Sequence, residues 1–123
     1  MSQRILVVDD EADACELLSA YFKGHGYDVS TASAAADALR LVNKNPFQLV
    51  ILDLNLGDVD GLELLEPIQK SRPQLPVIIY SSIGLDQQSL ERALARQKGV
   101  TSYLNKLQPL DELLAEVKRL LQT

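Results

Sequence analysis

Five side chains capable of chemistry stand where the backbone leaves an apolar run. Asp9 and Asp10 follow Ile5-Leu6-Val7-Val8, Asp53 follows Leu49-Val50-Ile51-Leu52, Ser81 follows Val77-Ile78-Ile79-Tyr80, and Lys106 closes the run Tyr103-Leu104. Each has an ordinary explanation when taken alone: Asp10 as a helix cap, Ser81 as a turn residue, Lys106 as a solvated charge. As a set they describe a site. Two unit charges ~4 Å apart repel by roughly 4 kcal/mol at an effective dielectric of 20, so three gathered carboxylates call for a cation. Oxygen donors with few protein ligands suit Mg²⁺, which keeps several waters. An aspartate beside that ion, a hydroxyl and an ammonium is equipped to act as a nucleophile toward a phosphoryl group. The ion and the lysine would neutralise the transferred oxygens. The sequence has no Gly-rich phosphate loop, which argues against a nucleotide held in a cradle as the donor.

The elements that must position these groups alternate along the chain. Leu49 to Leu52 is an unbroken apolar run ending at Asp53 and dissolving into Gly57-Asp58-Val59-Asp60-Gly61, the pattern of a strand buried on both faces of a parallel sheet. In open α/β sheets the carboxyl ends of such strands are where ligands bind. Arg4 to Val8 predicts the first strand, and Tyr27 to Ala32 the second. Val77 to Tyr80 predicts the fourth strand, and Tyr103-Leu104 a short fifth. Between them, Ala14, Leu17, Leu18, Tyr21 and Phe22 recur at helical spacing, stopped by Gly24 to Gly26. Ser33 is placed to cap a second helix whose inward face is Ala35, Ala38, Leu39 and Val42. Leu62, Leu65 and Ile68 predict a third helix. Leu90, Ala93 and Leu94 predict a weakly amphipathic fourth, closed by Gly99. From Pro109 on, Leu110, Leu113, Leu114, Val117, Leu120 and Leu121 predict a terminal amphipathic helix. Strand–helix alternation implies a three-layer α/β fold: a doubly wound parallel sheet with right-handed crossovers and helices on both faces.

Bulk composition narrows the function. The chain of 123 residues is expected to be one domain, 1–123, with an ordinary hydrophobic share of 46%. A net charge of −5 argues against direct nucleic-acid binding. No apolar run approaches the ~20 residues of a membrane span, and acids follow the first strand at once, so a cytoplasmic protein is expected. The single cysteine, Cys15, reads as a small core or surface filler, and metal-site spacing of Cys and His is absent. His25, between two glycines, reads as a helix-terminal residue.

The runs Ile5-Leu6-Val7-Val8-Asp9-Asp10-Glu11, Asp53-Leu54-Asn55 with Asp60-Gly61, Ser81-Ser82, and Tyr103-Leu104-Asn105-Lys106 resemble, in order and over essentially the whole chain, the receiver domain of two-component response regulators. The resemblance implies a flavodoxin-like (βα)5 fold with strand order 2-1-3-4-5. It implies that Asp53 accepts a phosphoryl group from the phosphohistidine of a sensor histidine kinase or a phosphotransfer protein. Asp10 and Asp53 would bind Mg²⁺ directly, Asp9 through water, and Asn55 through its main-chain carbonyl. Ser81 would hydrogen-bond a phosphoryl oxygen, Lys106 would pair with it, and Tyr103 would swing inward as the switch. Output would pass by protein–protein contact of the last two helices and the strand between them, with a phospho-dependent homodimer as one form. Two departures stand out. Leu107 and Gln108 replace the family's cis proline and following aromatic, which predicts a trans Lys106-Leu107 bond and a reshaped approach to the last helix. Gly57 replaces a frequent proline, which predicts a looser loop. Two other readings compete: a receiver-like docking or dimerisation module with a vestigial site, and a small phosphatase. Against the phosphatase, Asn55 stands where haloacid-dehalogenase-like enzymes carry a second acid.

Overall fold

The computed structural model describes residues 3–57, 59–82 and 100–122. Its main sheet has five parallel strands in the order β2-β1-β3-β6-β7, with β1 Arg4–Val8, β2 Asp28–Ala32, β3 Leu49–Leu52, β6 Val77–Ser81 and β7 Val100–Asn105. Numbered as the five strands of the main sheet, this is the order 2-1-3-4-5 that the resemblance implied. The three inner strands carry the long β-branched and aliphatic runs, as strands covered on both faces must. β2, at one edge, is polar and only partly buried.

Alternation along the inner strands divides the core into two. Leu6, Val8, Val50, Leu52, Val77 and Ile79 face α2 (Ala35–Lys44) and α3 (Gly61–Ser71), meeting Ala38, Val42, Leu64, Leu65 and Ile68. Ile5, Val7, Leu49, Ile51, Ile78 and Tyr80 face α1 (Ala12–Gly24) and the C-terminal helix (Leu110–Leu121), meeting Leu18, Phe22, Leu113 and Val117. Each fully buried aliphatic or aromatic side chain stabilises by roughly 1.5–3 kcal/mol. The sheet is thus packed by helices on both faces.

Several expectations need correction. Leu17 is 57% exposed, and Cys15 takes the buried place on α1, because the helix face toward the sheet runs through Cys15, Leu18 and Phe22. Ser33 does not cap α2: Ala34 occupies the cap position in an extended conformation and no side-chain cap bond forms. The stretch from Gly57 to Gly61 is not all loop. Asn55–Leu56 (β4) pairs antiparallel with Val59–Asp60 (β5), and Gly57 turns between them at φ +74°. The fifth strand of the sheet is longer than Tyr103-Leu104 and begins at Val100, with a bulge where it meets Val77 and Ile78. The predicted fourth helix lies outside the described residues.

Candidate functional site

Register explains why the chemistry converges. Val8 pairs with Leu52 and Leu52 with Ile79, so the residues just beyond these rungs share one edge. The main chain stays tied there: the Asp53 amide donates to the Val8 carbonyl at 2.9 Å and the Lys106 amide to the Ser81 carbonyl at 3.2 Å. The structure brings together the five residues marked by the sequence. Asp9, Asp10 and Asp53 each bring a carboxylate oxygen within 4.8 Å of the others.

Asp53 is 5% exposed, Asp9 2% and Ser81 fully buried, whereas Asp10 is open to solvent. On Asp53, Oδ1 accepts the Ser81 hydroxyl at 2.7 Å and the Asn55 amide at 3.1 Å, and Oδ2 accepts the Lys106 ammonium at 3.0 Å. Lys106 also donates to Asp9 Oδ2 at 2.6 Å, while Asp9 Oδ1 accepts the Glu11 amide at 3.0 Å. One ammonium therefore bridges two buried carboxylates. Burial pushes the Asp9 carboxyl above its usual value, against the opposing pull of Lys106 and the Glu11 amide. Burial alone would lower the Lys106 ammonium, but its bonds to Asp9 and Asp53 outweigh that and hold it above its usual value. The lysine stays charged. It leaves the three-acid cluster short of cations, which is the condition a divalent ion relieves. All the donors are hard oxygens and Asp10 is accessible, a set that fits Mg²⁺. Tyr103, half-buried on β7, packs against the apolar cluster that includes Leu54 and Leu56, the two residues flanking Asn55.

Two contributors were missed by sequence reasoning. Cys15 donates its thiol to the Asp9 carbonyl at 3.3 Å, tying α1 to the site, and burial raises that thiol above its usual value. Gly61 is the second. A Cβ there would stand 2.5 Å from the Asp53 carbonyl oxygen and 2.8 Å from the Leu54 Cα, so only glycine lets α3 start against the site. The signal was present as Asp60-Gly61, with Asp60 capping the helix through the Leu62 amide at 3.0 Å. The turn after Lys106 has the trans Lys106-Leu107 bond that Leu107 and Gln108 predicted. With no cis peptide bond among the described residues and Leu107 87% exposed, that turn is closed by Asn105 and Gln108 instead.

Comparison with known proteins decides the family. The response regulator receiver domain model matches residues 5–118. The chain belongs to the response regulator receiver domain family. It is 39% identical over 109 residues to the transcriptional regulatory protein GlrR of Escherichia coli K12, covering 88% of this chain and 23% of that one. A CheY-like receiver domain from Methanospirillum hungatei superposes with a TM-score of 0.88 at 28% identity, covering 97% of this chain and 93% of the other. A response regulator from Burkholderia pseudomallei, solved with a phosphorylated aspartic acid, a calcium ion and citrate, gives 0.83 at 25% identity over 93% of this chain and 65% of that one. The family is one of signalling switches and not of catalytic enzymes. The chain spans under a quarter of GlrR. No helix among the described residues is long and apolar enough to cross a membrane.

Proposed function

We propose that this receiver domain is a phosphorylation switch in which Asp53 accepts a phosphoryl group from a histidine kinase or phosphotransfer protein. One observation carries the reading: a single ammonium, Lys106, bridges Asp9 and Asp53 while the Ser81 hydroxyl is bonded to the same Asp53 carboxylate. An Asp53 oxygen attacks phosphorus in line. The P–N bond of the phosphohistidine breaks as the P–O bond forms, and the imidazole leaves with a proton. Lys106 and Ser81, already hydrogen-bonded to Asp53, turn to the oxygens that arrive, so the charge meets prepositioned donors. Asp10 and Asp53, with Asp9 behind them and the Asn55 carbonyl, would hold Mg²⁺, which supplies charge neutralisation at the transferred group. The Burkholderia relative, solved with a phosphorylated aspartic acid and a calcium ion, supports this reading.

The phosphoryl group then takes over the Ser81 hydroxyl from the Asp53 carboxylate, and Tyr103, packed against the Leu54 and Leu56 cluster, shifts with it as the switch residue. The altered surface lies at the end of β7 and the approach to the C-terminal helix, where a protein partner or a second copy reads it. The whole switch operates in the cytoplasm. The test is intact mass after incubation with acetyl phosphate and Mg²⁺. Gain of one phosphoryl group, abolished by EDTA and by Asp53→Asn, is expected. No gain with either acetyl phosphate or a phosphorylated histidine kinase, while Mg²⁺ still binds, would favour the docking-module reading.

A further inference from the structure

Lys106 is carried on a turn closed by its own neighbours. Its amide faces β6 and bonds the Ser81 carbonyl, so the preceding amide, that of Asn105, faces the open edge of the sheet. There the Gln108 side chain meets it: Oε1 accepts the Asn105 N–H at 2.9 Å. Asn105 Oδ1 accepts the Leu107 N–H at 2.8 Å, and the Asn105 carbonyl accepts the Gln108 N–H at 3.0 Å. The far end of Gln108 donates Nε2–H to Glu112 Oε2 at 2.6 Å, in the first turn of the C-terminal helix. The amide orientation is forced, because a backbone N–H can only donate and a carboxylate only accept. Strand end, turn and helix start are thereby joined through one side chain.

We propose that Asn105 and Gln108, braced by Glu112, are positioning residues for Lys106. They fix the main chain from which its ammonium reaches Asp9 and Asp53, a task that falls to hydrogen bonds here because Leu107 offers none of a proline's rigidity. The inference rests on the role given to Lys106 under the proposed function. Neither Gln108 nor Glu112 touches the acids, and both are exposed, so a purely structural role would register in thermal stability alone.

The experiment is the rate of phosphoryl gain from acetyl phosphate at saturating Mg²⁺, followed by intact mass, with a thermal melt of each variant. Gln108→Ala removes the exposed bonds to Asn105 and Glu112 and should slow the reaction about two- to tenfold, with little change in the melt. Gln108→Glu should slow it likewise, by setting a second carboxylate against Glu112. The pair Gln108→Glu with Glu112→Gln should restore the rate, since the carboxylate still accepts from Asn105 and the new amide at 112 donates. In a Lys106→Met background, Gln108→Ala should do nothing further to the residual rate, because coupled residues are non-additive. An unchanged rate in Gln108→Ala, or the same fractional slowing with and without Lys106, would overturn the inference while leaving the proposed function intact. Failure of the unaltered chain to take up a phosphoryl group from either donor would overturn both.

Discussion

Asp10 differs from its two acidic neighbours in having no hydrogen bond to lose among the described residues. Asp10→Asn should therefore relieve repulsion at little cost and raise the melting temperature of the metal-free protein by about 2–5 °C. In the presence of Mg²⁺ the ordering should reverse, because the variant forfeits a ligand. Lys106→Met acts in the opposite sense: it leaves two buried carboxylates without their counter-ion and should cost about 2–3 kcal/mol, short of a fully buried pair because the lysine is partly exposed. The pH dependence has a definite sign. Lys106 is raised in the folded state, so its contribution is complete below the ordinary lysine value of 10.5 and is lost as pH rises through the raised one. Tyr80 runs the same way, since burial lifts its phenol above 10.0. Melts across the alkaline range should show the decline persisting in Tyr80→Phe and becoming shallower when Lys106→Met is added, the raised Cys15 thiol still contributing. Asp9 is also raised, so what its protonation contributes is present below 3.8 and lost as pH rises through the raised value. Asp9→Asn should remove that acid-side gain.

At the scale of elements, two glycines carry the passage from β3 to α3. Gly61→Ala would drive a methyl into main-chain atoms of Asp53 and Leu54 that cannot swing aside, so a loss of about 2–4 kcal/mol is expected, read as a lowered denaturant midpoint. Gly57 holds φ +74°, and proline is locked near −65°, so Gly57→Pro should open the β4–β5 ribbon and destabilise the chain. The residue common in the family at that position is thus one this backbone cannot accept. The element order was legible because the inner strands are unbroken apolar runs and the helices keep a clear 3.6 period. What escaped had physical reasons. A two-residue strand such as Asn55–Leu56 has no period to read. Leu17 and Cys15 differ by two helix positions, and only the angle of α1 on the sheet decides which is inside. Pro67 lies within α3, a helix that packing of Leu64, Leu65 and Ile68 sustains despite the missing amide.

At the scale of the whole molecule, Asp9, Asp10, Asp53, Ser81 and Lys106 were recognisable because parallel topology sends every strand end to one edge. The parts played by Gln108 and Cys15 were not, because they depend on distances across elements that no local spacing encodes. Binding at that edge should be felt throughout: a ligand held only by the folded chain stabilises it by about 2.7 kcal/mol at a hundredfold excess over its Kd. Mg²⁺ should accordingly raise the melting temperature in a concentration-dependent way, with EDTA reversing the shift and Asp53→Asn blunting it. A flat response would argue against the acids as an ion site.

One tie noted at the site sets a clock. The Asp53 amide, directly after the central strand β3, is bonded to the Val8 carbonyl of β1, inside a sheet with helices on both faces. No local fluctuation frees it, so its hydrogen should exchange with deuterated solvent only when the entire domain opens. The carboxylate of the same residue stands at an edge meant for rapid traffic. Asp53 then keeps two times at once, slow at its nitrogen and fast at its oxygens. Its amide signal should remain a gauge of global stability through many rounds of whatever its side chain undergoes.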